Sequence, residues 1–327
     1  MQGLVTVFGG SGFIGRVLVR ALAKRGLRVR VTARRVNVAD QMRLYGDVGQ
    51  IQVQQANLRM PDSVERALEG AEACVNLVGL LFERGRQRFE AVHAGGAETV
   101  ARACAARGVR TLVQMSALGA GAGSSAAYAR TKAEGEAAAR RHMPDAIVVR
   151  PSIVFGQGDG FFNKFAAMAT VSPVLPLVGG GKTRFQPVYV GDVASAIGNA
   201  LIDPAALGRT FELGGPHAYS FRELLELTLR EVRRSRLLVP VPFPLAKAIG
   251  FAGEVQSAVL PFFPPVLTRD QVELLRADNV PSGEHPGLAE LGVQPTAVEA
   301  IVPTYLYRYR TGGQFSEPTA MVEGSRL

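Results

Sequence analysis

A doubly wound parallel α/β sheet with a smaller, mainly helical second lobe is the architecture the sequence predicts. Three observations carry that expectation. Short apolar runs alternate with longer segments of helical period as far as Arg150, a glycine-rich turn joins the first run to the first helix, and the alternation breaks immediately afterwards. Six short strands separated by helices imply βα repeats and a parallel sheet with helices on both faces. Right-handed crossovers then make the doubly wound arrangement the economical topology.

The strand candidates are LVTVF from Leu4, RVRVTA from Arg28, IQVQQA from Ile51, ACVNLV from Ala73, TLVQMS from Thr111 and AIVVR from Ala146. Beyond them come RPSIVFGQGDGFFNKFA, a Pro/Gly-rich stretch around 173–187, and VYVGDVASAIGNAL, read as a short strand feeding a helix that Asp192 caps. Ser220-x-x-Glu223 and Thr268-x-x-Gln271 match capping boxes, the first opening an amphipathic helix that runs through Arg234. The expected organisation is a nucleotide-binding core over 1–155, a mixed segment over 156–310 that completes the sheet at about 186–214 and forms the helical lobe, and a loose tail over 311–327.

Composition narrows the function classes. The chain has 327 residues, 47% hydrophobic and 20% charged, with two cysteines, as expected of a soluble intracellular protein. Cys74 and Cys104 lack metal-ligand spacing and read as small core residues. The net charge of +9 is concentrated in residues 1–150, which hold 22 Lys and Arg against 12 Asp and Glu. A phosphorylated ligand or an anionic surface would suit that half, whereas no nucleic acid is expected, because the arginines are scattered and no nucleic-acid motif is present. The first strand begins by Leu4 and the most apolar region, 237–268, is broken by Lys247, Glu254 and prolines. The expected location is therefore cytoplasmic, with peripheral contact on the cytoplasmic face of the inner membrane as a further option.

The stretch TVFGGSGFIGR places Gly9, Gly12 and Gly15 between a strand and a helix. One glycine permits the turn, one lets the backbone approach a pyrophosphate, and one lets the helix pack on the sheet. Ser11, Phe13 and Ile14 bring the amides of the turn and the helix start, where partial positive charge meets phosphate. An NAD(H) site ordinarily has an acid about 20 residues further on. Here Thr32-Ala33-Arg34-Arg35 stands instead. Small Ala33 leaves room for a 2′-phosphate and the two guanidiniums can grip it, favouring NADP(H) over NAD(H), unless they are simply solvated arginines at a strand end.

Tyr128 and Lys132 lie four apart on one helix face, and Ser116 ends the fifth strand. A nearby ammonium is expected to lower the phenol pKa, making Tyr128 an acid–base group with Ser116 holding the same substrate oxygen. A solvated i,i+4 pair is the bland alternative. His93, His142, His217 and His285 are scattered and read as surface or capping residues, and Glu134 and Glu136, two apart, point in different directions.

With these motifs in order, the chain resembles the short-chain dehydrogenase/reductase superfamily, in its extended and atypical branch of NAD-dependent epimerase/dehydratase-like proteins, over about residues 3–215. The resemblance implies a Rossmann-like fold and catalytic roles for Ser116, Tyr128 and Lys132. It further implies cofactor contacts at Asn57 and Leu58 after the third strand, Val78 and Gly79 in NLVG after the fourth, Tyr128 and Lys132, and Pro151 and Ile153 in RPSI after the sixth. Asn57 stands where the family commonly has Asp, and NLVG lacks the fuller Asn-Ala-Gly form. YARTKAEGE, LPLVGGGKTRFQPVYVGDVA and LTRDQVELLRADN more closely resemble the family of nucleotide-holding accessory subunits of respiratory complex I and their bacterial relatives. That resemblance implies a structural NADPH and complex I subunits as partners. Two readings stand: a binding protein that docks its nucleotide on a partner, and an NADP-dependent oxidoreductase or epimerase. Under the first, the 237–267 region, whose prolines are expected to resist continuous helix and for which partial core burial is the alternative, forms a partner-binding surface with the loose segment of alternating Tyr305, Tyr307 and Tyr309, residues 303–327 being separable from the fold.

Overall fold

The computed structural model describes residues 3–259 and 265–315. Six of its strands follow the apolar runs: β1 (Leu4–Phe8), β2 (Arg28–Ala33), β3 (Ile51–Gln55), β4 (Ala71–Asn76), β5 (Thr111–Met115) and β6 (Ile147–Pro151). A seventh, Thr210–Leu213, pairs in parallel with β6. The sheet runs Thr210–Leu213, β6, β5, β4, β1, β2, β3, with every neighbour parallel. The order reverses between β1 and β4, so a crevice opens at their carboxyl ends, where doubly wound sheets bind ligands.

Side chains alternate across the sheet and build a core on each face. Val5, Val7, Val29, Val31, Val75 and Val113 pack with Leu18 and Leu22 of helix α1 (Phe13–Lys24) and with Val193 and Ile197 of helix Val190–Ala200. On the other face, Phe8, Cys74 and Leu112 meet Val64, Val100 and Cys104 from helices Pro61–Ala67 and Gly95–Ala106. Both cysteines are fully buried, as core residues.

The second lobe has its own core of Phe155, Phe162, Leu175, Phe185, Phe221 and Leu224, with aromatic rings meeting edge to face. Alongside its helices it carries short strand pairs, including Val174–Val178 with Leu237–Val241 in parallel. Ser220 and Glu223 form a complete capping box, but the helix Phe221–Glu231 stops three residues short of Arg234, and Arg233 turns left-handed at φ 53°. At Thr268 only half of the box forms: its hydroxyl accepts from Gln271 N–H, while the Gln271 amide reaches away to the Leu81 carbonyl.

Three expectations are corrected here. Asp192 lies inside helix Val190–Ala200, whose N-cap is Tyr189, and its carboxylate accepts from the backbone and hydroxyl of Thr296. The prolines of the apolar region interrupt it only in part: Leu237–Val241 is a strand, but Phe243–Val259 is helical, because Pro244 falls in the first turn, where no N–H donor is needed, and residues 260–264 lie outside the described residues. The tyrosine segment is not loose either. Tyr305 and Leu306 are buried in the second core, the Tyr305 hydroxyl donates to Asp159, and Arg310 pairs with Glu231. Residues 316–327, most of the expected tail, lie outside the described residues.

Candidate functional site

The glycine turn is built by exclusion of side chains. Gly9 takes φ +78°, and its carbonyl accepts from Gly12 N–H at 3.0 Å, closing the turn. A Cβ on Gly15 would lie 2.3 Å from the Gly9 oxygen and 2.6 Å from the Gly10 backbone, so only glycine lets α1 start this close to the strand. A Cβ on Gly12 would touch only the Gly9 oxygen, at 3.1 Å, and the residue is exposed on its other side. Gly12 is the N-cap of α1, no side chain caps that helix, and its first turn has no acid. The amides of Phe13, Ile14 and Gly15 therefore have no acceptor within the helix, a ready anion site.

Arg34 and Arg35 follow the end of β2, both exposed, with Gln55 donating to the Arg34 carbonyl at 3.2 Å. Asn57 Oδ1 accepts from Arg59 N–H, and Leu58 is buried in the core beneath. Val78 N–H donates to Asn76 Oδ1. Lys132 Nζ comes within 3.2 Å of where a side chain on Gly79 would begin. Pro151 is buried, with its carbonyl accepting from Leu118 N–H, while half-buried Ile153 packs toward the second core. Arg16, one turn into α1, was not singled out from the sequence; its guanidinium stands 3.6 Å from where a side chain on Gly158 would begin, so it bridges the glycine turn to the 156–160 loop.

Helix Ala127–His142 carries Tyr128 and Lys132 to the end of β5. Lys132 is buried, donates to the Met115 carbonyl at 3.4 Å and lies 5.8 Å from the Tyr128 ring centroid. Ser116 stands next to Met115, and its hydroxyl oxygen is buried without a hydrogen-bond partner, a cost that a bound ligand would remove. Behind them Glu136, also buried, grips Arg150 through two bonds of 2.7 and 2.8 Å, while Glu134 is exposed.

The expectation that Lys132 lowers the phenol pKa is reversed. Burial pushes Tyr128 up to about 12, and the Asp270 carboxylate adds to the rise. Lys132 is itself pulled down to about 8 by burial, with Glu136 acting against that shift. An ammonium held this weakly gives a phenolate little support.

His93 is the residue sequence reasoning misplaced. It is buried, on a π-helical turn, Glu90–Ala94, and its ring stacks on Phe89 and meets Tyr128 edge-on. Nε2 accepts from Leu80 N–H at 2.9 Å and Nδ1 faces the Thr131 hydroxyl at 3.1 Å, which fixes a neutral ring protonated at Nδ1. Burial, then the Lys132 charge, lower its pKa to about 3. The histidine thus ties the loop after β4 to the Tyr128 helix.

These features fit a nicotinamide dinucleotide: a cradle in which side chains would collide, uncapped helix amides, and an orphaned serine hydroxyl at the far end. When bound, such a group supplies a hydride donor or acceptor. The chain's own residues would hold phosphates at the α1 amides, keep a proton on Tyr128 Oη and present the Ser116 hydroxyl to a substrate oxygen.

A family model described as the NAD dependent epimerase/dehydratase family matches residues 5–214. Subunit 9 of the NADH dehydrogenase [ubiquinone] 1 alpha subcomplex from Arabidopsis thaliana is 34% identical over 320 residues, covering 96% of this chain and 80% of the relative. Its Rattus norvegicus counterpart is 37% identical over 312 residues, covering 94% and 81%. A ceramide reductase of Caulobacter vibrioides is 35% identical over 196 residues, 60% of each chain. Among solved structures, a Thermus thermophilus UDP-glucose 4-epimerase complexed with NAD superposes with a TM-score of 0.68 at 22% identity, covering 94% of this chain and 98% of that one. A Citrobacter triphenylmethane reductase complexed with NADP(H) gives 0.69 at 17%, covering 90% and 97%. Because that family model matches residues 5–214, more than half of the 327 residues, this chain belongs to the NAD dependent epimerase/dehydratase family.

Proposed function

We propose that the protein holds NADP(H) as a retained ligand and serves as an accessory component of respiratory complex I. The observation that carries this reading is the similarity to complex I subunits over 94–96% of the chain, which includes most of the second-lobe residues beyond 214, where the family model ends. Arg34 and Arg35, directly after the Thr32-Ala33 end of β2, which carries no acid, support the 2′-phosphorylated form of the nucleotide. The helix Phe243–Val259 supports docking on a complex I subunit. It turns small residues, Ala246, Gly250 and Gly253, inward, and leaves Leu245, Ile249, Phe251 and Val255 exposed at 46–54%. No helix among the described residues is long and apolar enough to cross a membrane. Affinity purification from native cells, read by mass spectrometry, tests the reading: complex I subunits should accompany the wild-type chain and be lost with Ile249→Asp/Val255→Asp. Isolation without them refutes it.

The gathered Ser116, Tyr128 and Lys132, with the unsatisfied Ser116 hydroxyl, favour a second reading, an NADP-dependent reductase. The ceramide reductase relative directs the search for its substrate toward carbonyl-bearing lipids of that class. NADPH consumption on adding such a lipid, abolished by Tyr128→Phe with cofactor affinity unchanged, would establish it. No turnover, together with a cellular phenotype lost on Gly12→Val but not on Tyr128→Phe, identifies a structural nucleotide.

A further inference from the structure

Helix Ala127–His142 begins without a cap of its own. Ala126 at the N-cap has no hydrogen-bonding side chain, and the first turn carries no acid. The missing acceptor comes from 143 residues further along the chain: Asp270 Oδ1 accepts from Ala127 N–H at 2.6 Å and Oδ2 from Tyr128 N–H at 3.1 Å. We propose that Asp270 is a positioning residue for Tyr128, a cap delivered by the second lobe that fixes where the phenol stands and sets the charge around it.

The surroundings show that this placement is held rather than incidental. Asp270 sits on the short helix Arg269–Leu274, whose neighbours clasp the loops of the site. Gln271 donates to the Leu81 carbonyl, Glu273 accepts from the Ser125 hydroxyl, and Asn279 reaches the Leu118 carbonyl and accepts from Ser152. The short helix is in turn pressed against Phe243–Val259. A Cβ on Gly250 would lie 2.8 Å from Arg269 N and from the Thr268 carbonyl carbon, and one on Gly253 would lie 2.9 Å from the Leu267 oxygen. Lys247 pairs with Glu273, and Glu254 with Arg269. Thus the helix with the exposed apolar face backs directly onto the residue that caps the Tyr128 helix.

The chemistry follows from the charge. An uncapped helix start presents partial positive charge and free amides, which favour a phenolate nearby. A carboxylate bonded to those amides cancels that field and favours the neutral phenol. The other groups facing Tyr128 are Phe89, just before the π-helical turn, neutral His93 within it, and Lys132 from its own helix. Asp270 is therefore the negative charge among them, and its effect on the phenol has the same sign as that of burial.

The inference rests on Tyr128 as the acid–base group, but its test needs no turnover, so it can fail while either functional reading survives. The Tyr128 phenol is titrated in the full chain by NMR of 13Cζ-tyrosine, with Tyr128→Phe assigning the signal. Asp270→Asn keeps an acceptor oxygen and removes the charge, and the phenol midpoint should fall by roughly one unit. Asp270→Glu, which retains the charge, should restore most of the wild-type value. Gly250→Ala leaves Asp270 intact but forces the short helix away, and should move the midpoint in the same direction. A folded Asp270→Asn protein with an unmoved midpoint overturns the proposal and leaves Asp270 a structural clamp. Should Asp270→Asn fail to fold, an unmoved midpoint in Gly250→Ala overturns it equally.

Discussion

The glycine turn allows its steric and ligand-binding roles to be separated by two substitutions. In Gly15→Ala the new methyl would meet the Gly9 carbonyl oxygen at 2.3 Å and the Gly10 backbone at 2.6 Å, and backbone cannot swing aside as a side-chain tip can. Overpacking of this kind costs about 1–3 kcal/mol, and collision with backbone places it at the upper end. The better helix propensity of alanine returns at most about 1 kcal/mol. A net loss of about 2 kcal/mol lowers Tm by roughly 3 °C for 327 residues that unfold together. Gly12→Val differs. Its Cβ meets one oxygen at 3.1 Å and its branches enter open space, so stability falls by about 1 kcal/mol as a poorer N-cap, while the approach of a pyrophosphate is blocked. Thermal unfolding with and without NADPH separates the two. At a concentration of about 100 Kd the wild type should gain about 2.7 kcal/mol. Gly12→Val should lie within a few degrees of wild type without nucleotide and gain nothing on its addition. A Gly12→Val protein with the full NADPH-induced shift, or a Gly15→Ala protein as stable as wild type, refutes the assignment of roles.

Replacing Arg34 and Arg35 together by alanine should weaken NADPH binding on the order of tenfold to a hundredfold and leave NADH unchanged, read by fluorescence titration; equal losses for both would remove the 2′-phosphate assignment. His93 is held near pKa 3 in the fold against about 6.5 unfolded, so the unfolded chain takes up a proton that the fold refuses as pH falls through 6.5. Stability should therefore fall by about 2 kcal/mol between pH 6.5 and 5 from this group alone, and chemical denaturation of His93→Gln should show a correspondingly shallower acid slope. Deleting residues 303–327 removes Tyr305 and Leu306 from the second core. A loss of several kcal/mol is expected, and a truncated chain with wild-type Tm would restore the sequence reading of a separable tail.

The sheet was legible because β1 and β5 are largely apolar and buried on both faces, while β2 and β3 alternate polar and apolar residues at the strand period. The seventh strand, TFEL, is too short and too polar to stand out; its Glu212 is buried only because Arg150 and Ser282 partner it. The glycines, Ser116, Tyr128 and Lys132 were legible as spacing. What spacing does not carry is the environment that sets their chemistry. Nothing local marks His93 as buried, since the π-helical turn that aims it inward is a matter of packing, and the rise at Tyr128 comes from burial and then from Asp270, 142 residues away. The tyrosine segment misled for a related reason: Tyr and Arg at alternate positions suit an interface, but Asp159 and Glu231, which receive them, are distant in sequence.

The path of the last forty described residues explains why the two lobes act as one body. After the Asp270 helix the chain returns across the sheet half, where Leu288, Leu291 and Val293 enter the first core and Thr296 satisfies buried Asp192. It then passes into the second core through Val298, Val302, Tyr305 and Leu306. One short segment thus supplies apolar side chains to both cores, and pulling either lobe away would strip them from one of the two at a cost of about 1.5–3 kcal/mol per buried side chain. Domain closure of the kind that large hinge-bending enzymes use to trap substrate is therefore disfavoured in this fold. Smaller displacements of the Asp270 helix remain open, because its contacts to the site are a few hydrogen bonds at loop ends rather than core packing. In this molecule, then, the two lobes are joined by shared core side chains, and the Tyr128 helix is joined to the lobe whose apolar helix faces outward by hydrogen bonds.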